Sequence, residues 1–228
     1  MKKTIKKFLN LIGAQLSRDV LRAEDEILAM AKLGNLWNEY LPWTSYAIKP
    51  SALVLLANEI SIHKRYRVLE VGCGVSSVIL SRMPGVSLTS IEHNPEWAEI
   101  VRSYIAEDAK SHIIDIPLVD SQLNGSDCKW YDESKILDLL SGEKFDLLLI
   151  DGPEGAINAN SRLPALYKLS RYMDDQYTVV IDDTDRNEEA SMVEEYVGAF
   201  NLTNPSYYRS QKVAFMRSRK EGPYFTIS

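Results

Sequence analysis

Cysteine is scarce in this sequence: Cys73 and Cys128 are the whole complement of 228 residues. That excludes a disulfide framework, and no Cys/His spacing suits zinc, so a reducing cytosolic compartment is the expectation. Long apolar runs are also lacking. A membrane-spanning helix needs roughly 20 consecutive apolar residues, and no such stretch occurs. The segment from Met1 to Gly13 begins with Lys2, Lys3, Lys6 and Lys7 like a secretory leader. Asn10 and Gln15 interrupt its apolar part, however, and Arg18 and Asp19 follow closely. It reads as an amphipathic helix, with contact to a membrane surface as the lesser alternative. Positive charge is in deficit too: 26 Lys and Arg face 32 Asp and Glu, for a net charge of −6. General nucleic-acid binding calls for the opposite balance. Internal repeats and low-complexity tracts are missing, and Asn124-Gly125-Ser126 and Asn201-Leu202-Thr203 match a glycosylation pattern that has no meaning in the cytosol.

What is present has the composition of an ordinary globular protein, 45% hydrophobic and 25% charged, at a length that suits one α/β domain with an N-terminal extension. The organising stretch is Arg67 to Ser77. Arg67-Val68-Leu69-Glu70-Val71 is a short, mostly apolar, β-branched run that predicts a buried strand. Gly72-Cys73-Gly74 follows, and a helix can start at Val75, with Ser76 or Ser77 as N-cap candidates. Glycines let a ligand approach the backbone closely, and a helix start offers unpaired N–H donors. Glu70 at the strand end is expected to face the crevice, where it would repel phosphate and either accept hydrogen bonds from hydroxyls or attract a cationic ligand. Cys73 reads as a space-filling residue rather than a nucleophile.

The rest alternates. Residues from Ser17 to Tyr40 and from Ala52 to Ile62 have helical spacing, separated by the aromatic, proline-broken segment from Leu41 to Pro50. Trp43 and Tyr46 in that segment serve either as packing between extension and domain or as a lid. Strands are expected at Val86–Ile91, Ile113–Val119, Phe145–Ile150 and Thr178–Ile181. Helices are expected at Asn94–Asp108, Ser134–Leu140, Ser161–Met173 and Glu188–Phe200. The segment from Asn124 to Asp132 reads as a polar loop. A final antiparallel pair, Tyr207–Arg209 and Lys212–Met216, turns at Ser210-Gln211.

The ExGxG pattern after the first strand, with Glu92 ending the second, resembles the class I S-adenosylmethionine-dependent methyltransferases. Glu92 lies 92 − 70 = 22 residues beyond Glu70, close to the roughly 20 typical of a ribose-binding acid in such a unit. Ser76 replaces the third glycine of the family pattern. The resemblance implies a Rossmann-like, doubly wound seven-stranded sheet of order 3-2-1-4-5-7-6 over 51–228, with 1–50 as helical extension or lid. It implies a donor site made of Glu70, Gly72, Cys73, Gly74, Ser76, Glu92 and His93, with Asp120 and Ser121 standing where the family contacts adenine.

Two further segments, Ile150-Asp151-Gly152-Pro153 and Ile181-Asp182-Asp183-Thr184, resemble the metal-dependent O-methyltransferases of the catechol and macrolide-sugar types. By that resemblance Asp151, Asp182 and Asp183 hold a divalent ion, Mg²⁺ by the oxygen-rich ligand set. The alternative is that Asp182 and Asp183 cap the next helix or meet Arg186, and that Asp-Gly-Pro is turn chemistry. Asp151 and Glu154 are the catalytic candidates. Glu154 stands where those relatives carry a Lys or His base, so the base is Glu154, His93 or the metal alone. Arg162 either orients the acceptor or is a solvated helix residue. Trp130 and Tyr131 either line an acceptor pocket or sit in the core.

The expectation is thus S-adenosylmethionine-dependent, metal-assisted methylation of a small-molecule or carbohydrate hydroxyl in the cytoplasm, with a homo-oligomer left open. The rivals are a metal-free methyltransferase acting on nitrogen or a macromolecule, and a nicotinamide-dependent oxidoreductase or nucleotide-binding module.

Overall fold

The computed structural model describes residues 22–219 apart from 38, 42, 43, 45, 108 and 109. The Met1–Gly13 segment, the start of the helix expected from Ser17, and Trp43 lie outside the described residues. Residues 22–33 are helical (α1), followed by a short 3₁₀ turn at Gly34–Leu36 and by a strap, without regular structure among its described residues, that leads to α2, Pro50–His63. Pro50 is suited to the first turn of α2, where its missing N–H costs nothing. Glu26 of α1 accepts from the Ser51 backbone N–H at 2.9 Å and from its hydroxyl at 2.7 Å, which pins α1 against the start of α2.

The alternation then runs β1 Arg67–Val71, α3 Val75–Ser81, β2 Ser87–Glu92, α4 Pro95–Arg102 and β3 Ser111–Asp115. A hairpin follows, β4 Leu118–Leu123 and β5 Ser126–Tyr131, then α5 Glu133–Leu140 and β6 Phe145–Ile150. The chain continues through α6 Pro164–Leu169, β7 Met173–Ile181, α7 Asn187–Ala199, β8 Ser206–Tyr208 and β9 Val213–Arg217. Seven of these strands form one sheet of order β3-β2-β1-β6-β7-β9-β8, parallel up to β7 and antiparallel for the last pair. Counted without the hairpin, that is the expected 3-2-1-4-5-7-6.

Strand alternation divides the core into two layers. On one face Val68, Leu147, Leu149 and Val180 pack with Leu53, Leu56 and Ile60 of α2 and with Val78 and Ile79 of α3. On the other, Leu69, Val71, Leu148 and Ile150 meet Ile136 of α5, Leu166 and Leu169 of α6, and Val193 and Tyr196 of α7. A parallel strand covered on both faces reads as a continuous apolar run, which is why β6 is buried along its whole length. At the opposite end of the sheet from the glycine turn, buried Glu59 of α2 accepts from Arg217 Nε of β9 at 2.9 Å and from the Thr178 hydroxyl of β7 at 2.7 Å. No helix among the described residues is long and apolar enough to cross a membrane.

Several expectations need correction. The third strand ends at Asp115, and residues from Leu118 form a separate two-stranded sheet with Ser126–Tyr131, where a polar loop was expected. Asn124 (φ 52°) and Gly125 (φ 81°) make the two-residue turn that this pairing needs. The helix at Asn94 stops at Arg102, and the one expected at Ser161 begins at Pro164 and gives way to a 3₁₀ turn before β7. Trp130 and Tyr131 are fully buried and packed edge to face at 5.1 Å, so they belong to the core.

The glycine turn holds the most exacting backbone contact. Gly72 has φ of +86°, and a Cβ there would lie 2.9 Å from both Gly152 Cα and Gly152 N. Gly72→Ala combines strain at positive φ with a backbone clash, and should cost about 2–5 kcal/mol in urea denaturation. Gly198→Ala, in α7 where an added Cβ would enter open space, should be neutral or stabilise by up to about 1 kcal/mol.

Candidate active site

The carboxyl ends of β1, β2, β6 and β7 open on one cavity of about 800 Å³. Gly72, Cys73, Gly74, Ser76, Glu92, His93, Asp151, Glu154 and Asp183 all line it. So do Thr44, Tyr46, Ala47 and Ile48 of the strap. This placement obeys the rule that ligands of open parallel sheets bind beyond the strand ends.

Glu92 is held by its own turn. Its Oε1 accepts from the His93 and Asn94 backbone N–H groups at 2.8 Å each, and its Oε2 from Cys73 N–H at 3.1 Å. His93 Nδ1 lies 2.9 Å from Oε1 as an ion-pair contact rather than a directed hydrogen bond. Burial works against the charge of Glu92, but His93 and the backbone donors outweigh it and hold the carboxyl below its usual range. His93 is raised in turn, chiefly by Glu92. The Cys73 thiol is pushed far up by burial and by Glu92, which disfavours the thiolate form. Its carbonyl accepts from Trp97 Nε1 at 2.7 Å, which fixes the glycine turn from α4.

Glu70 departs from expectation. It is fully buried and does not line the cavity; Ser76 and Ser77 hydroxyls, each at 2.5 Å, donate to its two oxygens. The hydroxyls that Glu70 meets belong to the first turn of α3 rather than to a ligand in the crevice. Gly74 is the N-cap residue of that helix, and its N–H donates to Ser77 Oγ at 3.0 Å. Burial raises the Glu70 pKa to about 7. Asp120 and Ser121 also depart. They sit on β4, away from the cavity lining, and Asp120 pairs with Lys129 at 2.8 Å in solvent. The cause is the early end of β3, which hands this stretch to the hairpin.

The acidic group forms as predicted in position. Asp151 follows β6, Asp182 and Asp183 follow β7, and oxygens of all three lie within 4.8 Å of one another. Asp151 keeps 15% side-chain exposure, and desolvation and the Asp182 charge push it well above the usual carboxylate range. Asp182 rises to about 7 through burial and the Asp183 charge.

Arg162, expected as an acceptor-orienting or solvated helix residue, is neither on a helix nor solvated. It precedes α6, is 5% exposed, and reaches into the acids. Its Nη2 lies 3.2 Å from Asp151 Oδ1 and 3.3 Å from Asp183 Oδ2, and its Nε lies 3.8 Å from Glu189 Oε1. Arg186 Nη1 adds a contact to Asp183 at 2.9 Å. Asp183 therefore meets Arg186, as the plainer reading of the sequence held, while also belonging to the acidic group. Sequence reasoning missed Glu189 and Trp97 altogether; only the Asn94-Pro95 helix start hinted that α4 faces the turn.

These residues fit a divalent cation. Asp151, Asp182, Asp183 and Glu189 outnumber Arg162 and Arg186, and buried Glu189 Oε2 has no hydrogen-bond partner. An excess of acids over bases among oxygen donors is the chemistry of a Mg²⁺-type site.

No family model and no curated protein matches the chain. Solved structures do. The SAH-bound Podospora anserina methyltransferase PaMTH1 aligns with TM-score 0.62 at 13% identity, covering 89% of this chain and 95% of that one. A putative caffeoyl-CoA O-methyltransferase from Staphylococcus aureus aligns with TM-score 0.57 at 14% identity, covering 78% and 86%. The O-methyltransferase TomG from Streptomyces achromogenes, in complex with SAM, aligns with TM-score 0.53 at 19% identity, covering 83% and 87%. The chain has the Rossmann-like methyltransferase fold.

Glu70 gives this site a pH signature. Its raised folded-state pKa means the native protein holds that proton more tightly than the unfolded chain. The resulting stability is full below about 4.5 and is lost as pH rises through about 7. Glu70→Gln should flatten the fall in unfolding free energy between pH 5 and pH 8 by on the order of 3 kcal/mol relative to the parent. Urea titrations at both pH values check this.

Proposed function

We propose that this protein is an S-adenosylmethionine-dependent methyltransferase that methylates an oxygen of a small-molecule or carbohydrate acceptor with help from a divalent ion, Mg²⁺ by ligand type. One observation carries the reading: the glycine turn, Glu92, Asp151 and Asp183 line a single cavity, with an oxygen of buried Asp182 within 4.8 Å of those of both acids. The fold shared with SAM- and SAH-bound methyltransferases supports it. In this reading 51–228 is the catalytic domain, and the strap from Thr44 to Ile48 closes the wall contributed by the extension.

The residues divide the work. Gly72, Cys73 and Gly74 leave backbone room for the donor, and Ser76 completes that wall. Glu92, fixed by its own backbone donors, presents a rigid acceptor to ribose hydroxyls. His93 balances its charge. Glu70 does not touch the donor; it holds the first turn of α3 and so the shape of the loop. S-adenosylmethionine, when bound, would supply a sulfonium methyl for the acceptor oxygen with a neutral thioether as leaving group, and a divalent ion, which Asp151, Asp182 and Asp183 would hold, would supply Lewis-acid polarisation of that oxygen. Glu154, on the cavity wall, takes the acceptor proton. Alignment and exclusion of water supply most of the acceleration. Tyr46, 79% exposed and on the cavity wall, offers a stacking face to the acceptor.

A metal-free version of the same reaction is favoured by one observation: Arg162 already places a cation against Asp151 and Asp183. Transfer of labelled methyl from S-adenosylmethionine to hydroxylated acceptors should fall with EDTA and return with Mg²⁺. EDTA-insensitive transfer establishes the metal-free version. Donor binding is tested separately. Glu92→Ala should weaken S-adenosylhomocysteine binding at least about tenfold by calorimetry, the loss of a charged hydrogen-bond acceptor. A thermal shift with NAD⁺ in place of S-adenosylhomocysteine overturns the methyltransferase reading.

A further inference from the structure

Arg162 stands where three segments converge. Its Nε and Nη1 lie 3.4 Å from the carbonyls of Pro153, after β6, and Asp182, at the end of β7. Its Nη2 bridges one oxygen of Asp151 and one of Asp183, at 3.2 and 3.3 Å. Glu189 of α7 lies 3.8 Å from Nε and braces it from the third side. A carboxylate has two oxygens, and Arg162 takes Oδ1 of Asp151 and Oδ2 of Asp183. Asp151 Oδ2, Asp183 Oδ1 and the Asp182 carboxylate stay outside these contacts.

We infer that Arg162 is a positioning residue of the acidic group: it fixes how Asp151 and Asp183 present their remaining oxygens, and it locks the loop after β6 to the start of α7. The inference rests on the reading of Asp151, Asp182 and Asp183 as a divalent-ion site. A planar guanidinium can hold two carboxylates and two carbonyls at set angles, whereas a lysine ammonium supplies charge without the fork. Groups that orient metal ligands from behind typically change metal affinity 10–100-fold when altered. Arg162 thus does for two carboxylates what a backing carboxylate does for a metal-binding histidine.

The test uses the full chain as parent, Arg162→Lys and Glu189→Gln. Mn²⁺ binding is measured by calorimetry, S-adenosylhomocysteine binding alongside it, and hydrogen exchange on the metal-free proteins over 150–156 and 181–190. Arg162→Lys should bind Mn²⁺ about 10–100-fold more weakly, keep S-adenosylhomocysteine affinity within about twofold, and exchange faster in both segments. Glu189→Gln, which keeps the volume and removes one brace, should show a smaller rise in exchange over both segments; because Glu189 also adds charge to the acidic group, its exchange rather than its Mn²⁺ affinity decides the question if Arg162→Lys fails to fold. Parent-like Mn²⁺ affinity and exchange in the variants overturn the inference, because charge alone would then suffice. If the parent itself binds no Mn²⁺, the divalent-ion reading falls, and the exchange data still decide: faster exchange in both segments upholds Arg162 as the clamp, and unchanged exchange overturns it.

Discussion

The turn after β1 and the turn after β6 meet backbone to backbone, and the cavity is built outward from that contact. Gly72 and Gly152 come so close that a side-chain carbon on either would sit within 3 Å of the other's main chain. Asp151 N–H donates to Val71 O, and Gly72 N–H to Ile91 O, both at 2.9 Å, so three strand ends are tied in one row. The glycine turn and the acidic group therefore share a foundation. Neither can shift without moving the other.

The electrostatics follow the same economy of position. Carboxylates crowd the strand ends, and each is managed by a different device. Glu70 is sealed beneath the helix start and satisfied by two serine hydroxyls. Glu92 is satisfied by the backbone of its own turn. The acids after β6 and β7 are matched only in part, by Arg162 and Arg186. That excess of acids lies on a cavity that the glycine turn also lines.

The sheet was legible because parallel strands covered on both faces cannot hide: Phe145–Ile150 and Thr178–Ile181 are apolar almost throughout. The positions of Asp151 and Asp183 followed from where those strands stop, and that of Glu92 from the end of β2. The β4–β5 hairpin was missed even though Asn124-Gly125 is the strongest short hairpin signal, because its strands are polar and half-exposed rather than apolar. That single oversight misplaced Asp120 and Ser121. The burial of Glu70 could not be read from its neighbours, since only the helical turn brings Ser76 and Ser77 back over it. Arg162 was unreadable for a similar reason. Its partners come from three segments that meet only in the folded chain, and its own surroundings look like a solvated helix start.

The sheet's far edge has a consequence for synthesis. Strand β9 lies between β7 and β8 although it is made after both, so β8 cannot join the sheet before it. Until Val213–Arg217 leaves the ribosome, the β7 edge has no neighbour on that side. The acid at position 59 of the nascent chain meanwhile waits for a guanidinium encoded 158 residues downstream. The edge of the sheet closes from the inside outward, and a chain stalled before that point holds an open strand and a mismatched charge at once.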